Sequence, residues 1–306
     1  MSFSAVVFPG QGAQKKGMAR DFIEEYNEAA DVFKTADQIL DFDVYEICHG
    51  DGDLLNQTNY TQPCILTAEI AMFRALQAHQ NLNADYFAGH SLGEYAALVA
   101  ADVMSFETAL NIVARRGELM NQTDEDGAMA AVIMDTIDLK SIGEIADQHN
   151  IDIANDNSAQ QVVLSGRQDD LDKTIKALTD KFEGQSFRAV PLTVSAAFHS
   201  RYMAPVEAQF HEFLLDFADD INEQNLPKVA SNFLGDFYVA DKLQLIESLS
   251  RQISGTVKWR DNMNLLKDQQ ILELGPNRPL RGFFKSIGVD ITSVINLKSA
   301  HKAFKS

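Results

Sequence analysis

Short apolar runs that stop at glycine or proline alternate along the chain with longer segments whose apolar residues recur every three or four positions. Runs of the first kind read as buried strands and those of the second as amphipathic helices. Residues 3–8 form the first predicted strand, closed by Pro9-Gly10-Gln11-Gly12-Ala13-Gln14. Ala29, Val32, Phe33, Ala36, Ile39 and Leu40 then share one helical face, and Ile65, Leu66, Glu69, Met72, Phe73 and Leu76 recur at helical spacing in another segment. Pro63 fits the first turn of that second helix, where its missing N–H costs nothing. Tyr86-Phe87-Ala88 reads as a second strand, running at once into Gly89-His90-Ser91-Leu92-Gly93-Glu94 and a helix rich in small residues. A further helix over residues 106–120 carries Arg115 and Arg116.

From Asp124 onward the pattern changes. A strand over 128–134 is followed by a helix marked by Leu139, Ile142, Ile145 and Ala146, then by short strands at 151–154 and 162–164. Leu171, Ile175, Leu178 and Phe182 mark another helix, and 187–192 a last strand. The order β-α-β-β-α-β is that of a ferredoxin-like unit. Crossings near Asp124 and Val194 make it an insertion: 125–194 forms the small subdomain, while 1–124 and 195–306 form a larger α/β body. Beyond it the pattern predicts a helix over 205–217, a strand over 229–233, a helix over 242–253 and a strand over 271–274.

Composition narrows the function classes. A net charge of −18 argues against nucleic acid and against an anionic membrane surface, both of which demand clustered Lys and Arg. Cys48 and Cys64 are the only cysteines, too few for a disulfide framework or a thiolate metal site, and they fit a reducing cytoplasm. The first apolar run stops at Pro9-Gly10, so it reads as a strand rather than a signal peptide. No run approaches the roughly 20 apolar residues of a membrane span. The 9–14 loop lacks the Walker lysine and the G-x-G-x-x-G spacing, which excludes a nucleotide cradle there. No metal or cofactor is expected.

The chemistry concentrates at Gly89-His90-Ser91-Leu92-Gly93, a nucleophile elbow of the form G-x-S-x-G. Two residues without Cβ atoms let strand and helix approach across a sharp turn, which lifts Ser91 off the sheet edge. The Leu92 N–H, at the helix start, points where an oxyanion would form. A strand-to-helix turn with a capping serine would look the same over so short a stretch.

Other motifs, taken in order with this one, resolve that ambiguity. Phe8-Pro9-Gly10-Gln11-Gly12-Ala13-Gln14, the elbow, Arg116-Gly117 with Met120, Asn157 with Gln161 to Gly166, Ser195 to His199, and Gln252 with Val257-Lys258-Trp259 together resemble malonyl-CoA:acyl carrier protein transacylases. The resemblance runs over nearly the whole chain, and the Ser-Ala-Ala-Phe-His-Ser segment looks most like the discrete acyltransferases that serve polyketide synthases in trans. It implies an α/β-hydrolase-like large subdomain with an inserted ferredoxin-like small subdomain. The implied partners are malonyl-CoA and an acyl carrier protein, in fatty acid or polyketide biosynthesis.

The resemblance also assigns roles. Ser91 is the nucleophile and His199 its base, oriented by a backbone carbonyl near Gln252 instead of an aspartate. The N–H groups of Leu92 and Gln11 form the oxyanion hole, Arg116 holds the malonyl carboxylate, and Asn157 lines the groove between subdomains. Phe198 goes with malonyl and against methylmalonyl. Arg115 reads as a surface residue, and His90 receives no catalytic role. Met134, Asn121, Thr256 and Asn277 depart from the family pattern, and the first and second lie close in sequence to groove-lining segments. An editing acyl hydrolase on the same scaffold is the nearest alternative, with less need of Arg116; an idle carrier-protein docking module is a more distant one. Arg278, Arg281 and Lys285, and then Lys15 with Lys16, are the basic groups expected to receive the carrier protein.

Overall fold

The computed structural model describes residues 2–122, 126–194 and 196–305. The crossing expected at Asp124, and Ser195 at the head of the His199 segment, lie outside the described residues. Among the described residues eight strands form two sheets: β1 (Ala5–Phe8), β2 (Tyr86–Gly89), β3 (Gly127–Ile133), β4 (Asp152–Ser158), β5 (Gln161–Arg167), β6 (Arg188–Pro191), β7 (Ile271–Leu274) and β8 (Thr292–Val294). The first sheet is parallel in the order β2-β1-β7-β8. The second is antiparallel in the order β4-β5-β3-β6, the ferredoxin-like arrangement that the β-α-β-β-α-β pattern implies.

Strand periodicity explains how the two sheets meet. A parallel sheet needs cover on both faces. Val6 and Phe8 of β1 accordingly enter the main core, while Ala5 and Val7 meet Ala88, Val257, Trp259 and Met263 on the other side. The same alternation divides β3. Ala128, Ala130 and Val132 pack with Ile142, Leu171 and Leu178 beneath the small sheet, whereas Met129 and Ala131 join the main core. One seven-residue strand thus belongs to both units and lays the small sheet over the body. Further along, β4 is tied down by Asp156 N–H to the Val257 carbonyl (3.0 Å) and Val257 N–H to the Ala154 carbonyl (2.9 Å). Arg260 adds an ion pair with the half-buried Asp156 at 2.6 Å.

Three expectations change. The helix expected to open at Pro63 begins more than a turn earlier and runs Thr58–Gln80 with the proline inside it. The proline removes only the bond its N–H would give Asn59, and it interrupts a helix buried on nearly every side. Thr61 Oγ1 anchors the first turn by donating to the Leu55 and Gln57 carbonyls at 2.6 and 2.9 Å. The strand expected over 229–233 shrinks to isolated bridges, Val229 to Phe87 and Ala230 to Phe237, because the chain turns away to deliver polar side chains inward. Met134 sits in the small subdomain's own core and does not line the cleft that holds Ser91. No helix among the described residues is long and apolar enough to cross a membrane.

The main core also holds an acidic pair, Glu69 from the expected helix and Glu273 from the expected strand over 271–274. Glu69, on the Thr58–Gln80 helix, is fully buried, and neither of its carboxyl oxygens has a partner among the described residues. Burial, then the neighbouring Glu273, pushes its pKa well above the usual carboxylate range. Burial raises Glu273 to about 7, against bonds from Ser293 Oγ and the Leu280 N–H. A carboxyl raised on folding contributes stability that is complete below its unfolded value of 4.5 and is lost as pH climbs through the folded one. Thermal stability should therefore fall between about pH 5.5 and about pH 8.5, and Glu69→Gln should raise the melting temperature at the higher pH while changing it little at the lower. Thermal melts at the two pH values check this; a wild type that gains stability with pH, or a variant that loses it at both, contradicts it.

Candidate active site

Ser91 occupies the turn between β2 and the buried helix Gly93–Ala100 with φ of 52°, a left-handed conformation that costs an L-residue energy. Steric room makes the turn possible. A Cβ on Gly89 would overlap the Gly93 carbonyl group, and one on Gly93 would overlap the Phe8 carbonyl oxygen. Hydrogen bonds then hold it. Asn232 Oδ1 accepts the Ser91 N–H at 2.6 Å, and its Nδ2 donates to the Gly89 carbonyl at 2.8 Å and to Asn262 Oδ1 at 2.9 Å. One side chain from the segment after the Val229 bridge clips the elbow from both sides.

His199 comes within reach of the serine from a segment 108 positions away: Ser91 Oγ to His199 Nε2 is 2.8 Å. Its Nδ1 lies 2.6 Å from the Gln252 backbone carbonyl. A carbonyl only accepts, so Nδ1 carries the proton and the Nε2 lone pair faces the hydroxyl. Burial, and next the charge of Arg116, lowers the His199 pKa to about 3. The imidazole is held neutral, in the state able to take a proton.

Arg116 is 1% exposed, on the helix Phe106–Asn121. Its Nη1 donates to Gln62 Oε1 at 2.6 Å, and its Nη2 donates to Gln252 Oε1 at 2.9 Å and to Ser91 Oγ at 3.2 Å. The Tyr95 ring lies 5.6 Å from the guanidinium carbon, and Nε finds no acceptor among the described residues. Every hydrogen-bond partner of this buried cation among the described residues is neutral. Its neighbour Arg115 bonds Glu118 on the exposed face, as its position suggested.

A cleft opens over these groups, lined by Gln11, Gln62, His90, Met120, Met129, Asn155, Leu192, Val194 and Phe198. The Pro9-Gly10-Gln11 loop lies against the elbow, where a Cβ on Gly10 would overlap the His90 carbonyl oxygen and approach Leu92 N to 3.6 Å. The N–H groups of Gln11 and Leu92 donate to no acceptor among the described residues. Asn155 lines the cleft; Asn157 instead meets His90 behind the elbow, Oδ1 to Nε2 at 2.7 Å. Asn121, at the exposed end of its helix, does not line the cleft.

Sequence reasoning missed Gln62, Asn232 and Tyr238 and gave Glu94 no role. Glu94 stood inside the elbow motif, but an acid in a first helical turn reads as a dipole partner. Asn232 and Tyr238 sit in a segment with no local chemical pattern. Gln62 stood only as the residue before Pro63 at an expected helix start, a position with no chemical signal.

The comparisons agree with this geometry. Residues 5–235 match the acyl transferase domain family. A malonyl CoA-acyl carrier protein transacylase of Staphylococcus aureus (strain MW2) is 37% identical over 317 residues, covering 97% of each chain. The polyketide biosynthesis protein PksE of Bacillus subtilis (strain 168) is 36% identical over 288 residues, which is 92% of this chain and 36% of that protein. A solved complex of a type II PKS acyl-carrier protein with its malonyl-transacylase superposes with a TM-score of 0.91 at 29% identity, over 100% of this chain and 99% of that one. By fold, by near full-length similarity and by the matched domain, the chain belongs to the malonyl CoA-acyl carrier protein transacylase family.

Proposed function

We propose that this chain moves a malonyl group from malonyl-CoA to the phosphopantetheine thiol of an acyl carrier protein through an ester on Ser91. The observation that carries the reading is the buried guanidinium of Arg116, in contact with the serine hydroxyl and, among the described residues, bonded only to neutral groups. A charge removed from water needs a counter-charge. A carboxylate on the acyl group supplies one at the place where the thioester must sit. An editing hydrolase gives no such reason for the residue.

Ser91 Oγ attacks the thioester carbonyl while His199 Nε2 takes its proton. The oxyanion forms against the Gln11 and Leu92 N–H groups, whose donors are free to receive it. On collapse the carbon–sulfur bond breaks and His199 returns the proton to the departing CoA sulfur, leaving the malonyl ester and a neutral imidazole. The carrier's thiol then enters by the same route in reverse: His199 removes its proton, the thioester forms, and Ser91 Oγ recovers the proton. Arg116 holds the carboxylate throughout, and Phe198, 5% exposed on the cleft wall, limits room at the malonyl α-carbon. We infer a cytoplasmic location from the two buried free thiols, Cys48 and Cys64.

The carrier protein would dock beside the helix Leu280–Ser286. Arg278, Arg281 and Lys285 are exposed or half-exposed there, and Phe283 of that helix stacks 6.3 Å from His90, next to the nucleophile. Lys16 is the weaker candidate, because it is already paired with Asp51. An acidic carrier and an enzyme of charge −18 need such a local patch to approach.

Two sets of measurements test this function. Intact-protein mass spectrometry after brief exposure to malonyl-, methylmalonyl- and acetyl-CoA should find one acyl group on the wild type, with malonyl favoured, and none on Ser91→Ala. Arg116→Ala should slow malonyl loading about tenfold or more and spare acetyl, since a charge-assisted pair is worth roughly 1.5–3 kcal/mol. Phe198→Ser should relax discrimination against methylmalonyl by a smaller factor. Equal wild-type loading of acetyl and malonyl, or equal slowing of both by Arg116→Ala, contradicts the carboxylate clamp. Separately, reversing the charges of Arg278, Arg281 and Lys285 should slow transfer to the carrier and flatten its salt dependence while leaving loading from malonyl-CoA intact. Unchanged transfer at every salt concentration removes the patch from the account.

A further inference from the structure

We infer that Glu94 is a positioning residue for acyl selection: its carboxylate fixes the direction of the Gln252 side-chain amide, and that amide aims Arg116 at the substrate carboxylate. The inference rests on the carboxylate clamp proposed above and adds a residue to it that touches neither Ser91 Oγ nor the acyl group.

The argument begins with the two unlike ends of an amide. Gln252 Oε1 accepts from Arg116 Nη2 at 2.9 Å, and its Nε2 donates to Glu94 Oε2 at 2.6 Å and to the Ser91 carbonyl at 3.1 Å. A guanidinium only donates, and an ionised carboxylate only accepts. Turning the amide over would therefore set N–H against N–H at Arg116 and oxygen against oxygen at Glu94 and Ser91. All three contacts fail together, so Glu94 joins Arg116 and the Ser91 carbonyl in permitting one orientation, and its 2.6 Å bond is the shortest of the three. Gln252 is fully buried, and no solvent is at hand to compensate the other.

Glu94 is itself held with care. It is 1% exposed; Tyr238 Oη donates to Oε1 at 2.5 Å, and the Asn232 N–H reaches both oxygens at 3.3 Å. Burial lifts its pKa to about 7 while these donors and Arg116 oppose the rise. When ionised, it lies one neutral residue away from the guanidinium. A direct ion pair would occupy the donors that the substrate needs. Balance at one remove offsets the buried charge and leaves Arg116 able to accept a second carboxylate. Through Asn232, whose Oδ1 takes the Ser91 N–H, the same carboxylate also registers the clamp against the elbow.

The test is a double-mutant cycle read as the ratio of malonyl to acetyl loading on Ser91. Glu94→Gln keeps the shape and removes the charged acceptor that holds the amide nitrogen at 2.6 Å. It should lower the ratio about fivefold or more, chiefly by raising the half-saturating malonyl-CoA concentration, and acetyl loading should fall much less. In an Arg116→Ala background the same change should move the ratio less than about twofold, because its route to the substrate is gone. Tyr238→Phe, which removes one donor to Glu94 and keeps the ring, should shift the ratio in the same direction by a smaller factor; it serves in full if Glu94→Gln does not fold. A ratio unmoved by Glu94→Gln or Tyr238→Phe, or lowered by the same factor with and without Arg116, overturns the inference and leaves Glu94 as support for the elbow alone. A ratio unmoved by Arg116→Ala by itself instead defeats the clamp beneath it, and that arm is read before the others.

Discussion

A guanidinium taken out of water is the constraint around which this site is built. Arg116 loses its hydration almost completely, and among the described residues none of its hydrogen-bond partners is a carboxylate. Uncompensated, such a charge would cost several kcal/mol. Tolerance here depends on the shell around it: two glutamine oxygens, a serine hydroxyl, an aromatic face and, one residue further out, Glu94. The shell neutralises enough for the protein to fold and leaves enough unmet for an anionic acyl group to be drawn in. Selection and stability are thereby set against each other at a single residue.

Placing that cation against a nucleophile requires strain elsewhere. Ser91 and His199 both adopt left-handed backbone conformations, with φ of 52° and 56°. The elbow is held open by the absence of Cβ atoms at Gly89 and Gly93 and clipped by Asn232; His199 is fixed by its own N–H to the Ile253 carbonyl at 3.2 Å and by the Gln252 carbonyl on its ring. Gln252 is the common element. Its backbone orients the base, its side chain faces the cation, and its amide nitrogen returns to the Ser91 carbonyl. A histidine oriented by a carbonyl, with no acid behind it, gains no counter-ion when it takes a proton. Its low proton affinity favours giving that proton up quickly to a sulfur leaving group.

Much of this was legible in the order of residues. The unbroken apolar run over 128–134 told of a strand, but that its alternate residues feed two different cores shows only in the fold. The elbow could be read because its glycines answer a local steric demand. Pro63 misled, since helix rules weigh a single lost bond and take no account of the burial that outweighs it. The 229–233 segment misled for a related reason: its apolar residues look like a strand, yet the chain bends to bring Asn232 to the elbow. Asn232 and Glu94 stayed hidden because their contacts span 141 and 158 positions, to Ser91 and Gln252 respectively, and nothing in either neighbourhood marks the distant partner. Such pairs become visible only when the fold is known.

The central claim is that the buried guanidinium waits for the carboxylate of the acyl group. Its most direct test is a crystal structure of the enzyme trapped as the malonyl ester. The account predicts an ester on Ser91 Oγ whose free carboxylate lies within hydrogen-bond distance of the Arg116 guanidinium, with Gln252 Oε1 still bonded to Nη2 and Glu94 unmoved. An ester whose carboxylate turns toward solvent, with Arg116 bonded only to its present neutral partners, would contradict it.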